Sequence, residues 1–241
     1  MGAILDLTDV HVKIEQAYVL QGVSFSVPEG ELVALLGRNG AGKTTTLESI
    51  LGLCPPFEGE VEFKGESLIG IPPFKIAQKG IGYSPDSARI FSELTVTENL
   101  KMGLLHHDGP KNFKAAYELF PFLEEHKENL GKSLSGGEQK LLALARAMVD
   151  ETLDLLLIDE PTEGLSPENT QKVYTALEEV KDRASILLVA DDLELAKEFA
   201  EEYVILSSGA DQESGDIDEL IRNPDIAEKY LSTGVRNGET K

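Results

Sequence analysis

At 241 residues the chain is long enough to bury a real core, as one large domain or two small ones, and its 41% apolar content is that of a globular protein. A formal charge of −21 and a pI near 4.5 argue against a nucleic-acid partner, because such a surface repels phosphate backbones; any phosphate contact must come from a local loop of amides. Cys54, the single cysteine, excludes an internal disulfide and a zinc cluster and points to a reducing compartment.

The opening "MGAILDLTDV" carries acids where a secretion signal needs a basic start, and no apolar run approaches the ~18 residues that span a membrane. A protein that is soluble, or peripheral to a membrane through a partner, is therefore expected. "ILDLTDVHVKI" (4–14), "GVSFSVPEG" (22–30) and "GEVEFKG" (59–65) alternate apolar and polar residues between Gly and Pro breaks, the pattern of half-buried antiparallel strands. "LVALLG" (32–37) is different, being apolar at every position. It recurs in kind as "LDLLLID" (153–159), "SILLVA" (185–190) and "YVILSSG" (203–209), and runs apolar on both faces predict central parallel strands of an α/β sheet. From Phe91 to about Lys140 the pattern turns helical, with "ELTVTENLKMGLL" and "NFKAAYELFPFLEEH". Further helices are predicted over "LLALARAMV" (141–149), "NTQKVYTALEEVKDR" (169–183) and "DLELAKEFAEE" (192–202). "GADQESGD" (209–216) reads as a surface loop and "STGVRNGETK" as a frayed tail, with no internal repeat and the acids spread as a solvated surface like that of proteins from a salt-rich cytoplasm.

Two stretches carry chemistry. "GRNGAGKT", from Gly37 through Arg38, Asn39, Gly40, Ala41, Gly42 and Lys43 to Thr44, follows a predicted strand at once and fits G-x-x-x-x-G-K-[ST]. Glycines let the backbone wrap so that successive amides face phosphate oxygens. The helix that begins near Lys43 adds its positive end, Lys43 reaches the terminal phosphates, Thr45 continues the cradle, and Thr44 offers a hydroxyl to Mg²⁺. "LLLIDE" (155–160) ends four aliphatics in two adjacent carboxylates. Such an enzyme needs a second strand, expected here to be adjacent in the sheet, whose tip brings an acid to the metal; Asp159 sits at that tip. Glu160, one residue on, is placed to accept a proton from the attacking water or to orient it.

"LSGGE" (134–138) then precedes a helix, offering a hydroxyl and bare amides at its start with no base beside Ser135 to make it a nucleophile. With the two stretches above, it makes the chain resemble the ATP-binding subunits of ABC transporters over nearly all 241 residues. The resemblance implies an α/β fold: a P-loop NTPase core with an N-terminal antiparallel β subdomain and a helical insertion. It implies one domain over 1–241, with about 1–90 and 141–230 as β subdomain plus core, about 91–140 as helical subdomain, and 231–241 as tail. It further implies that Ser135, Gly136 and Gly137 bind the γ-phosphate of ATP held by a second, unlike ATPase subunit, a homodimer being the alternative in isolation. Transmembrane permease subunits would dock on the insertion from about Phe91 to Leu130, placing the chain on the cytoplasmic face of the cell membrane with ATP and Mg²⁺ as cofactors. "RIFSELTVTENLKMGLL", "NPDIAEKYLSTG" and "EPTEGLSP" are most similar to the ATPase subunits of branched-chain amino-acid importers and their urea or amide relatives.

The chain departs from that family at three places. Asp86, in "YSPDSARIF", stands where a glutamine is usual, retaining an oxygen ligand for the metal. Asp191, in "LLVADD", stands where a histidine is usual, and none of His11, His106, His107 or His126 replaces it. An ionised Asp191 at ~4 Å from a γ-phosphate oxygen would oppose it by about 4 kcal/mol at an effective dielectric near 20, so this chain's own site should turn over slowly. The residue that stacks on adenine is left between Tyr18 and Ile14. The alternatives to an importer subunit are a soluble ABC-type ATPase and an ATP-binding regulatory subunit of weak turnover.

Overall fold

The computed structural model describes residues 2–105, 113–191 and 193–231; His106, His107 and the expected tail from 232 lie outside them. The alternating N-terminal segments form β1 (Ala3–Ile14), β2 (Ala17–Pro28) and β4 (Glu58–Phe63), which with the short β5 (Glu66–Ser67) make an antiparallel sheet in the order β2-β1-β4-β5. The fully apolar runs form β3 (Leu32–Gly37), β7 (Leu155–Asp159), β8 (Ser185–Ala190) and β9 (Glu202–Ser207). They belong to a six-stranded sheet, β10-β9-β3-β8-β7-β6, parallel except at β10. Two of its members were not expected: β6 (Ile81–Ser84), a four-residue strand interrupted by Gly82, and β10 (Ala210–Asp216).

The second of these overturns the expected loop at 209–216. β10 pairs antiparallel with β9 from Ala210↔Ser207 to Asp216↔Glu202, and the Asp211 carboxylate accepts from the Ser24 amide of β2 at 2.9 Å. An edge strand needs only backbone pairing on one side, so "ADQESGD" can be polar throughout and remain a strand.

The double-sided apolar runs divide between two cores. Leu32, Ala34, Leu36, Leu156, Ile158, Ile186 and Leu188 face one core, with α6 (Gly136–Met148), α7 (Pro167–Lys181) and α8 (Leu193–Phe199). Val33, Leu35, Leu155, Leu157, Leu187 and Val189 face the other, between the two sheets, together with Leu47 and Ile50 of α1 (Lys43–Ile50) and Ile76 of α2 (Pro73–Ala77). Period-two alternation thus buries both faces of each strand, which is why no polar residue interrupts them.

The helical stretch holds α3 (Val96–Met102), α4 (Lys114–Leu119) and α5 (Pro121–Glu125), with no strand among its described residues. Asn99, fully buried, ties the entry of this insertion together. Its amide donates to the carbonyls of Phe91 (2.9 Å), Leu94 (3.2 Å) and Thr95 (2.9 Å), and its oxygen accepts from the Phe91 amide (2.8 Å). The last elements among the described residues are α9 (Ile217–Arg222) and α10 (Pro224–Tyr230). Among the described residues no helix is long and apolar enough to cross a membrane.

Strand order corrects one expectation about the acids. β7 is not adjacent to β3: β8 lies between, with Val189 opposite Leu35 on one side and Asp159 on the other. Two inter-strand steps separate the turn-bearing strand from the acid, roughly 10 Å. The first turn of α1 closes that gap, as described next.

Candidate active site

The turn after β3 is shaped by its glycines. Gly40 has φ 81 and open space where a Cβ would stand, so its backbone lies bare to any ligand. Gly42 has φ 112 and ends against Leu20 of β2, a Cβ there falling 2.7 Å from Leu20 Cδ2. Arg38, Asn39, Gly40 and Thr44 are exposed, while Ala41, Gly42, Lys43 and Thr45 are buried, so the turn presents one face outward and anchors the other. Its floor is held from far along the chain: the Gly209 amide donates to the Ala41 carbonyl (2.9 Å), and the Gln21 amide to the Gly209 carbonyl (2.7 Å).

Thr44 and Asp159 meet as expected, the threonine hydroxyl donating to Asp159 Oδ2 at 2.8 Å. Asp159 is 2% exposed, and its Oδ1 has no hydrogen-bond partner. Burial pushes its pKa up, against the bond from Thr44. A buried carboxylate oxygen left without a donor is costly, and a cation beside Thr44 would satisfy it. The residues therefore fit a hard divalent ion such as Mg²⁺.

Lys43 closes the other side. Its ammonium is buried, donates to the Gly37 carbonyl at 2.7 Å, lies 3.3 Å from Glu160 Oε1, and is paired with the Asp191 carboxylate. Asp191 does reach the site, as its position after β8 implied, but here its charge is engaged by Lys43. Glu160 has φ 45, unusual for a residue with a side chain, and its amide donates to the Val189 carbonyl at 3.0 Å. Burial first, then the Asp191 charge, push the Glu160 pKa up to about 7, with Lys43 pulling the other way. A carboxyl tuned to that range suits proton transfer to or from water near neutrality.

Asp86 faces the same cleft from the segment after β6, with its carboxylate paired to Lys140 of α6 at 2.9 Å. Sequence reasoning missed Lys140, since nothing local marks a lysine whose partner lies on a different strand tip. The 135–137 loop opens α6: Ser135 is its N-cap, accepting from the Glu138 amide at 3.3 Å, while Glu138 Oε2 takes the Ser135 amide at 2.8 Å. Ser135 and Gly136 are exposed, and a Cβ at Gly136 would meet nothing within 4 Å, so this anion-binding turn faces outward.

The two adenine candidates separate by strand face. Tyr18 pairs with Lys13, and its hydroxyl lies 2.6 Å from His11 Nδ1 with Phe57 at 5.6 Å between ring centroids. Ile14 shares the face of Val12 and Leu20, the residue against the glycine turn. The aromatic ring thus shares its face with His11 and Phe57, and Ile14 lies on the opposite face of the sheet.

The family described as ABC transporter matches residues 20–163. The chain is 36% identical over 216 residues to the "High-affinity branched-chain amino acid transport ATP-binding protein BraG" of Pseudomonas aeruginosa, covering 88% of this chain and 92% of that one. It is 27% identical over 249 residues to BraF of the same organism, which carries the same description, covering 95% and 97%. A solved "ATP binding subunit of ABC transporter" superposes with a TM-score of 0.79 at 30% identity, covering 95% and 96%. On the matched family, the relatives and the glycine turn, acids and capped serine loop that the fold assembles, this chain belongs to the ABC transporters as an ATP-binding, ATP-hydrolysing subunit.

Proposed function

We propose that the chain energises a membrane importer of branched-chain amino acids or a related small solute, working on the cytoplasmic face of the cell membrane beside a second, unlike ATPase subunit and below two permease subunits. The observation that carries this reading is the meeting of Lys43, Thr44, Asp159 and Glu160 in one cleft while Ser135 and Gly136 stand exposed at the start of α6. A site complete except for its γ-phosphate clamp, on a chain that offers such a clamp outward, needs a partner of the same kind. The importer class is supported by the relatives named for branched-chain amino-acid transport, two of them distinct proteins of one organism.

Bound Mg-ATP would supply the γ-phosphoryl group and a cation that draws charge from it. The amides of 37–44 and Lys43 hold phosphate oxygens; Thr44 and Asp159 hold Mg²⁺, with Asp86 a further oxygen group at the same cleft. Glu160 orients water and takes its proton, and Ile14 offers adenine an apolar face without a ring. Permease docking is supported by a cleft of about 350 Å³ between the insertion and the core, lined by Ile81, Tyr83, Phe91, Met102, Leu105 and Arg146. Phe91 and Leu105 remain largely exposed beside it.

The test is purification of the chain from native membranes, identification of what accompanies it, and reconstitution of the assembly with a panel of solutes. Solute-stimulated ATP hydrolysis by the assembly that is lost with Ser135→Arg supports the reading. Recovery as a monomer or homodimer with full turnover and no membrane subunit overturns it in favour of a soluble ATPase.

A further inference from the structure

Lys140 lies four residues after Gly136 on α6, one turn below the outward-facing serine loop and on the same side of the helix. Its side chain is 19% exposed and turns inward. The ammonium donates to Asp86 Oδ1 at 2.9 Å, to the Glu163 carbonyl at 2.8 Å and to the Glu160 carbonyl at 3.3 Å. Three donors meet three acceptors, so the group is fully used. Those acceptors belong to separate segments, Asp86 after β6 and the 160–163 turn after β7. Glu160 needs such support, because its positive φ is a strained conformation that persists only where the surroundings impose it. The Val189 carbonyl holds its amide and Lys140 its carbonyl, and between these two anchors the side chain is aimed at Lys43.

We propose that Lys140 is a positioning residue for ATP hydrolysis: by joining Asp86 to the carbonyls of Glu160 and Glu163, it fixes the direction of the Glu160 carboxylate. This rests on the reading of Glu160 as the group that handles water. Lys140 lies on the helix that Ser135 caps, so an anion engaged by residues 135–137 acts on the same ammonium that orients this chain's own carboxylate. Without the lysine, Glu160 relaxes toward negative φ and its carboxylate swings off line.

The full-length chain carrying Lys140→Met, Lys140→Arg, Asp86→Asn, or Asp86→Asn with Lys140→Met is compared with wild type and Glu160→Gln for fluorescent-ATP affinity, KM, kcat and Tm. Lys140→Met should lower kcat about tenfold to a hundredfold, the scale of an ångström-size misplacement, with ATP affinity held within about twofold. Lys140→Arg should recover most of the rate, and the double variant should be no slower than Lys140→Met, as expected of residues acting as one unit. A lowered Tm with unchanged kcat per folded molecule, an Arg variant as slow as Met, or rate losses that simply multiply would each overturn the proposal. Should Lys140→Met fail to fold, Lys140→Gln carries the test, with about a threefold or greater loss of kcat expected and an unchanged rate refuting it. If Glu160→Gln hydrolyses like wild type, the reading of Glu160 fails and this inference with it. If Glu160→Gln is inactive while Lys140→Met runs at full rate, only the inference about Lys140 fails.

Discussion

Replacing Asp191 by asparagine should tighten ATP binding. In the structure the Asp191 carboxylate pairs with Lys43, whose ammonium also faces the Gly37 carbonyl and Glu160. A γ-phosphate arriving on the far side of that ammonium would lie about 6 Å from the Asp191 charge, and at an effective dielectric of 20 two unit charges at that distance repel by about 3 kcal/mol. The Asp191 side chain is 35% exposed, and solvent screening roughly halves the figure, to about 1.5 kcal/mol. The side-chain amide of the variant would keep an acceptor for Lys43 and lose the charge. The expected result is therefore about a tenfold lower Kd for ATP, since ~1.4 kcal/mol is a factor of ten. ADP, which lacks the γ-phosphate, should gain only about twofold, because the remaining phosphates lie further from the charge. Displacement of a fluorescent nucleotide at fixed Mg²⁺ and ionic strength measures both, and the ATP gain should shrink as salt is raised. The reasoning is refuted if Asp191→Asn binds ATP no more tightly than wild type, which would mean that the carboxylate leaves the site when nucleotide enters, or if ATP and ADP gain equally, which would mean that the charge does not act on the γ-phosphate in particular.

Three further outcomes are expected. In an assembled complex with an unlike partner, Ser135→Arg should abolish transport and Glu160→Gln should be tolerated, because this chain's own site is the weak one; the reverse ranking would show the asymmetry to be backwards. Glu160 has a folded pKa of about 7 against an ordinary 4.5, so the native state holds an extra proton between them and loses stability as pH rises through that window. Nucleotide-free Glu160→Gln should therefore gain Tm over wild type at pH 8 but not at pH 5, and a pH-independent difference would contradict the assignment. Asp159→Asn should leave the nucleotide-free fold at least as stable, since it removes a buried charge with an orphan oxygen, while raising the Mg²⁺ concentration needed for nucleotide binding by about tenfold or more. An unchanged Mg²⁺ midpoint in a titration would remove Asp159 from the metal's ligands.

How far the sequence discloses these things depends on how local their causes are. β3, β7, β8 and β9 are legible because a strand buried on both faces must be apolar at every position, and the glycine turn because its conformation demands glycine where a side chain would clash or fill the cradle. β10 is hidden because an edge strand imposes no apolar pattern, and β6 because Gly82 breaks its run; a Cβ there would fall 2.7 Å from the Ala147 carbonyl of α6. Strand order is not written in any strand, so the insertion of β8 between β3 and β7 could not be read from either one. Which faces Tyr18 and Ile14 occupy needed the register of β1 on β2, where the irregularity between Val12 and Lys13 puts the ring on the face of His11 and Phe57.

The fastening of Ala41 through Gly209 to Gln21 means that the phosphate-binding octapeptide is not a portable cassette of its own. Gly209 has φ 82, and a Cβ on it would stand 2.2 Å from the Val19 carbonyl, so this rivet has no tolerance for a larger residue. A change near the C-terminal end of the fold, in a hairpin that carries no recognisable signature, would slacken the nucleotide's seat and unhitch the two sheets together. Variation at that remote hairpin should be scored as variation in the nucleotide site itself.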